Sequence, residues 1–221
     1  MTGKTTPLWD LPTRVFHWSA VALVPAAWLT AETGNFDAHQ WIGYTVIVLV
    51  ATRLAWGFVG SRHSRFTDFL AGPRRVLGYV RGKVEAGAGH NPLGGWGVLA
   101  MLVLLLLQAI SGLYNNEDAV FEGPLYYGAE PALREVMHTI HEVAFNVLLA
   151  LVGLHIAAVL YHQLRLGEKL IQAMWRGAAP GREGRAAPAP LWLALVLVAV
   201  AAGLLWWGLE QAPRPDPGRW G

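Results

Sequence analysis

Long apolar runs alternate with short polar connections along the whole chain. The runs are roughly Val15–Ala31, Trp41–Val59, Trp96–Tyr114, Glu142–Tyr161 and Leu191–Leu209. Each is close to the roughly 20 apolar residues with which a helix crosses a hydrocarbon core of about 30 Å. Because lipid offers no partner to backbone N–H and C=O groups, helices are the form such runs take. The pattern predicts an all-α integral membrane protein: a four-helix transmembrane bundle over residues 1–177, a connection over 178–190, and a fifth C-terminal transmembrane helix with a short tail over 191–221. The connection, "RGAAPGREGRAAPAP", has the Gly, Pro and Arg content of a flexible or extended linker. Between the second and third runs a short amphipathic helix is expected around Arg65–Val80. The start, "MTGKTTPLWDLPTRVFHW", lacks the charged, apolar and small-residue succession of a cleavable signal.

Composition agrees, with 54% hydrophobic and 14% charged residues among 221, against about a quarter charged in soluble domains. The absence of cysteine excludes disulfides, covalent haem attachment through C-x-x-C-H and cysteine-held iron–sulfur clusters. Trp41, Trp96, Trp206 and Trp207 lie at run ends, where indoles favour the membrane interface. Basic residues gather in alternate connections: Arg62, Arg65, Arg74, Arg75, Arg81 and Lys83, then Arg165, Lys169, Arg176, Arg182 and Arg185. The other connections are acidic, with Glu32 and Asp37, then Glu117, Asp118, Glu122, Glu130 and Glu135 against Arg134. The positive-inside rule therefore predicts a cytoplasmic N-terminus and an outer, periplasmic C-terminus. It also accounts for the basic loops with no nucleic-acid partner.

Ionisable residues inside membrane helices are costly and point to function. His17 lies on the first predicted helix, His39 at the start of the second, and His138, His141, His155 and His162 on or beside the fourth. At about 100° and 1.5 Å per residue, His141 and His155 share a face and stand about 21 Å apart along the axis. Alternating helix directions put His39 and His141 at the outer depth and His17 and His155 at the inner depth. Spacing alone leaves a His17–His162 pair open as well. Two imidazoles from different helices suit axial ligation of haem, whereas zinc takes three or four ligands at one point; two stacked pairs point to two haems. The plainer reading of each is an interhelical hydrogen bond. His63 and His90 fall in a loop, where solvated side chains are expected.

Supporting residues follow from the same periodicity. Arg53 lies 14 positions after His39, on nearly the same face at the inner depth, as a partner for a haem carboxylate or a snorkelling cation. Arg14 is a second inner candidate, and Arg134 a weaker outer one. Gly43 and Gly112 remove side chains where a ring edge could enter, or are helix-packing positions. His138 caps its helix or hydrogen-bonds a quinone, and His162 is interfacial.

Four segments carry a family resemblance. "LWDLPTRVFHW", "AHQWIGYTVIVLVATRLAWGFVG", "GHNPLGGWGVLAMLVLLLLQAISGLY" and "HEVAFNVLLALVGLHIAAVLYH" resemble, in this order, the bacterial cytochrome b561 family, which includes the b-type cytochrome subunits of nickel–iron hydrogenases. The resemblance spans roughly Pro7 to Gly177. It implies a di-haem cytochrome b of the bacterial inner membrane, with His17, His39, His141 and His155 as the ligands of two b-type haems. It further implies electron exchange with quinone and, on the periplasmic side, with a cytochrome c or a redox enzyme subunit. Trp41, Tyr44 and His138, or Arg14 and Arg53, would line a quinone pocket. Alternatives are a superoxide:quinone oxidoreductase, similar to superoxide oxidase, and a haem-free membrane anchor.

Overall fold

The computed structural model describes residues 7–85, 87, 89–117, 121–180 and 188–213. Its long helices are α1 (Leu11–Glu32), α2 (Phe36–Val59), α5 (Pro92–Gly112), α6 (Pro131–Leu164) and α8 (Leu191–Glu210). Shorter helices α3 (Phe66–Phe69), α4 (Pro73–Val80) and α7 (Leu170–Arg176) occupy connections. A hairpin of β1 (Asn116–Glu117) and β2 (Phe121–Glu122) pairs Asn116 with Glu122 ahead of α6. Local chemistry sets the helix starts. Asp10, Asn35 and Asn91 cap α1, α2 and α5 through their side-chain oxygens, and proline stands in the first turn of α1, α4, α5 and α6.

Four helices, α2, α5, α6 and α8, are long and apolar enough to cross a membrane. α1, the first of the five expected spans, falls outside these four by composition. It has 22 residues, but Arg14, His17, Ser19, Thr30 and Glu32 dilute its apolar content. The expected amphipathic helix over Arg65–Val80 is two helices, because Pro73 restricts the residue before it and starts a new one. α6 is longer than the apolar run suggests. Its 34 residues reach about 51 Å, beyond a hydrocarbon core of about 30 Å, and its first turns precede the apolar run.

α1 packs on α2, α2 on α5, and α5 on α6. α8 lies mainly along α2 and touches α1. No extended packing joins α6 to α1 or α2. Val50, Phe66, Phe69 and Leu102 form a buried core near the basic connections, where a side chain at Gly57 would collide with the Phe66 ring. The expected linker over 178–190 lies largely in residues 181–187, outside the described residues.

At the basic end the chain closes on itself. Leu8 and Trp9 donate their amides to the Gly177 carbonyl at 2.8 and 2.9 Å, and Leu8, Trp9, Ala173 and Ala179 form a small buried cluster. Gly177 ends α7 in the left-handed region at φ 92°, a conformation that suits glycine. Beside it, the Asp10 carboxylate accepts from Thr13 N at 2.9 Å, Trp56 Nε1 at 2.8 Å, Ser64 Oγ at 3.0 Å and Ser61 Oγ. Burial alone would raise this carboxyl; the bonds from Ser61, Thr13 and Trp56 outweigh burial and hold it below its ordinary 3.8.

Candidate functional site

The 3.6-residue period builds two facing rows. On α2, His39, Gly43, Val46, Val50 and Arg53 recur every three or four residues; on α6, His141, Ala144, Leu148 and His155 share a face, with Ala144 and Leu148 buried. The rows meet through imidazoles. The ring centres of His39 and His141 are 6.3 Å apart, and those of His17 and His155 are 6.5 Å apart. His162 instead turns to Glu168, 3.1 Å away, so the alternative partner for His17 is engaged elsewhere.

At the acidic end both imidazoles are fixed from behind. His39 donates Nδ1–H to the Ala27 carbonyl at 2.9 Å, and His141 donates Nδ1–H to the Gln108 carbonyl at 2.9 Å. A carbonyl only accepts, so each ring carries its proton on Nδ1 and its lone pair on Nε2, which in His141 meets the Gln108 side chain. The Gln108 side-chain amide donates to Nε2 of His141 at 3.0 Å, and Ser111 Oγ lies 3.2 Å from its Nδ1.

At the basic end the pair lacks such supports: His17 Nδ1 is enclosed without a hydrogen-bond partner among the described residues. Arg53 is 3% exposed, with its guanidinium carbon 5.9 Å from the ring centres of both Phe66 and Phe69, and its Nη1 meets no partner among the described residues. The expectation that His63 and His90 are solvated is overturned. His63 is buried and lies 2.8 Å from Asp68. His90 sits between Trp9 and Phe69, with ring centres 4.7 and 4.8 Å away. Burial pushes His90 down to about 3, with Arg53, His155 and His63 adding to that and Asp68 opposing it, so the ring is neutral at pH 7. The loop folds back under the bundle, which sequence position does not reveal.

The remaining candidates are dispersed. Arg14 donates to the carbonyls of Met174 and Trp175 at the end of α7, where a cation offsets the helix dipole. A side chain added at Gly43 would meet open space, and one at Gly112 would press on His141. His138 lies 2.8 Å from Asn115 Oδ1 and 3.6 Å from Glu142, away from the paired rings. Trp41 packs on Tyr44 at 5.6 Å. Arg134 covers the Tyr126 ring at 4.2 Å and donates to the Ala129 carbonyl. Gln108 and Ser111 escaped the sequence reading; their polarity inside an apolar run was the available signal.

Chemically, the pairs offer two donors at each of two depths. No group of three or more His, Cys, Asp or Glu converges on a metal position among the described residues, which disfavours zinc-type sites. Two imidazoles on opposite sides of one metal atom, with metal–nitrogen bonds of about 2.0 Å, place their ring centres roughly 6 to 6.5 Å apart. Both measured separations fall in that range. The carbonyl-held Nδ1–H groups match the outer support that ligating histidines characteristically have. The enclosed Arg53 Nη1 supplies a donor for an acidic substituent, so the residues present fit haem.

A profile of the prokaryotic cytochrome b561 family matches residues 8–177. The chain is 22% identical over 217 residues to a probable Ni/Fe-hydrogenase B-type cytochrome subunit of Bradyrhizobium diazoefficiens, covering 81% of this chain and 87% of that relative. No solved structure matches. Apolar helices joined through paired histidines, together with a family match over most of the chain, have one reading: this protein belongs to the prokaryotic cytochrome b561 family and is a multi-pass bacterial membrane cytochrome b that transfers electrons through haem.

Proposed function

We propose that the chain binds two haem b groups, one between His39 and His141 and one between His17 and His155, and carries electrons between quinone and a redox partner at the periplasmic face. The observation that carries this is the pair of imidazole separations, 6.3 and 6.5 Å, at two depths of one bundle. Haem held there by His39 with His141 and by His17 with His155 would supply a one-electron carrier, and with both imidazoles of each pair engaged its chemistry would be outer-sphere transfer. The chain's own residues do the rest. Ala27 and Gln108 carbonyls orient the acidic-end imidazoles, Gly43 leaves room beside His39, and Arg53 neutralises a carboxylate at the basic end.

The basic connections lie in the cytoplasm and the acidic ones in the periplasm, which places His39 and His141 toward the partner. The relative's name associates it with a hydrogenase; for this chain the partner is a periplasmic enzyme subunit or a basic cytochrome c, drawn by the acidic surface. Residues 1–177 form the haem-carrying unit, and α8 is an added spanning helix that braces α2. Quinone binds at one end of the bundle, beside Arg53 or beside Trp41 and Tyr44.

The test is the haem content of the full chain purified in detergent, by pyridine haemochrome and reduced-minus-oxidised spectra, with His155→Ala and His39→Ala. About two low-spin haems per chain, one lost in each variant, are expected. A colourless wild type made with ample haem supports a membrane anchor instead.

A further inference from the structure

His90 is a half-buried side chain with an enclosed ring nitrogen that the electron-transfer reading leaves unused. Its ring is wedged between Trp9 and Phe69 at 4.7 and 4.8 Å, and its Nδ1 is enclosed with no hydrogen-bond partner among the described residues. Arg53 approaches the same Phe69 ring, its guanidinium carbon 5.9 Å from the ring centre, and its Nη1 is likewise enclosed and unpartnered. Leaving two such groups unsatisfied in a low-dielectric interior is costly.

The nearby protein carboxylates are engaged elsewhere. Asp10 receives Thr13, Trp56, Ser61 and Ser64, and Asp68 receives His63 and Arg62. An acceptor for Arg53 Nη1, and for His90 with its proton on Nδ1, would come from outside the polypeptide. A fixed cation beside a neutral ring nitrogen, walled by Trp9, Phe66 and Phe69, suits a carboxylate: the cation supplies charge, the N–H direction, and the aromatic walls keep water out.

We infer that His90 and Arg53 together clamp the carboxylates on the rim of the haem held by His17 and His155. The clamp rests on the two-haem reading. It makes His90 a binding residue contributed by the loop before α5, which carries no axial ligand. A lost donor leaves the carboxylate charge less compensated, so addition of an electron to the same group becomes harder.

The experiment uses the full chain in detergent, with haem counted by pyridine haemochrome and both midpoint potentials read by optical redox titration. His155→Ala identifies the basic-end component by its loss. His90→Phe keeps the aromatic stacking and removes the N–H, His90→Gln retains an amide donor, and Arg53→Gln removes the charge. In His90→Phe and Arg53→Gln, the basic-end component is expected to fall in potential or disappear, while the acidic-end component titrates as in wild type. His90→Gln is expected to recover part of the shift. Two haems with wild-type potentials in His90→Phe overturn the inference, as does loss of both haems, which marks His90 as a purely structural support. A wild type holding fewer than two haems refutes the reading beneath it instead.

Discussion

A Cβ added at Gly112 would stand 3.1 Å from Cε1 and 3.4 Å from Nδ1 of His141. α5 is thus cut back where the imidazole swings toward α2. Gly112→Val is expected to push His141 off the Gln108 carbonyl and abolish the low-spin signal of the acidic-end haem. Gly43 makes a sharper contrast, since an added side chain there meets no protein atom within 4 Å. Gly43→Leu is expected to keep wild-type helical content by circular dichroism yet lose the same haem; full haem content would show that the space beside His39 is not for a cofactor.

The two pairs differ in what stands behind them. Carbonyl-bonded Nδ1–H groups make His39 and His141 the more basic donors, and Arg53 places positive charge near the other pair. Both effects are expected to lower the potential of a haem at the acidic end relative to one at the basic end, so electrons would run from the acidic end to the basic end. Redox titration of His39→Ala and His155→Ala assigns the two components. A higher potential at the acidic end would contradict this ordering.

Asp10→Ala would strand the donors of Trp56, Ser61 and Ser64, at a cost of about 1–3 kcal/mol for a buried group left unpaired. The folded carboxyl titrates below 3.8, so its stabilisation is fully present above that pH and is lost as pH falls through the lower folded value. Thermal unfolding in detergent at neutral pH should show a lowered midpoint for Asp10→Ala. As pH falls below 3.8 and through the lower folded value, wild type should converge on the variant; a difference that persists unchanged would remove the carboxylate from the explanation.

Glu130 and Glu135 are exposed at the start of α6, where the helix projects beyond the apolar span. If they guide a basic cytochrome c, electron transfer between the two should slow as ionic strength rises. Glu135→Lys should slow it further at low salt and leave the haem spectra unchanged. Indifference to salt would remove charge steering as the docking force.

The histidine pairs were legible because a 14-residue spacing, antiparallel helices and the cost of burying imidazole each pointed to the same depths. That reasoning left His17 open to His155 or His162; only the tertiary structure sets the His17 ring beside His155 and turns His162 to Glu168. The partners of Arg14 were not legible, because Met174 and Trp175 belong to a short helix with no strong periodic signal. His63 and His90 looked solvated because hydropathy reports a loop but not where it folds. Pro73 marked the break between α3 and α4 in plain sight. α8 lying along α2 depends on side-chain fit that no pattern within either helix encodes.

The bond from Leu8 to Gly177 also sets an order of events during synthesis. Leu8 cannot find its acceptor until Gly177 has left the ribosome, a delay on the order of ten seconds at ~5–20 residues per second. His17 waits nearly as long for His155. Contacts so distant in sequence form late, so the side of the bundle between α1 and α6 stays open while the intervening helices enter the bilayer. That interval would serve as a loading window, in which a flat ring could enter sideways from lipid before the N-terminal segment latches over α7.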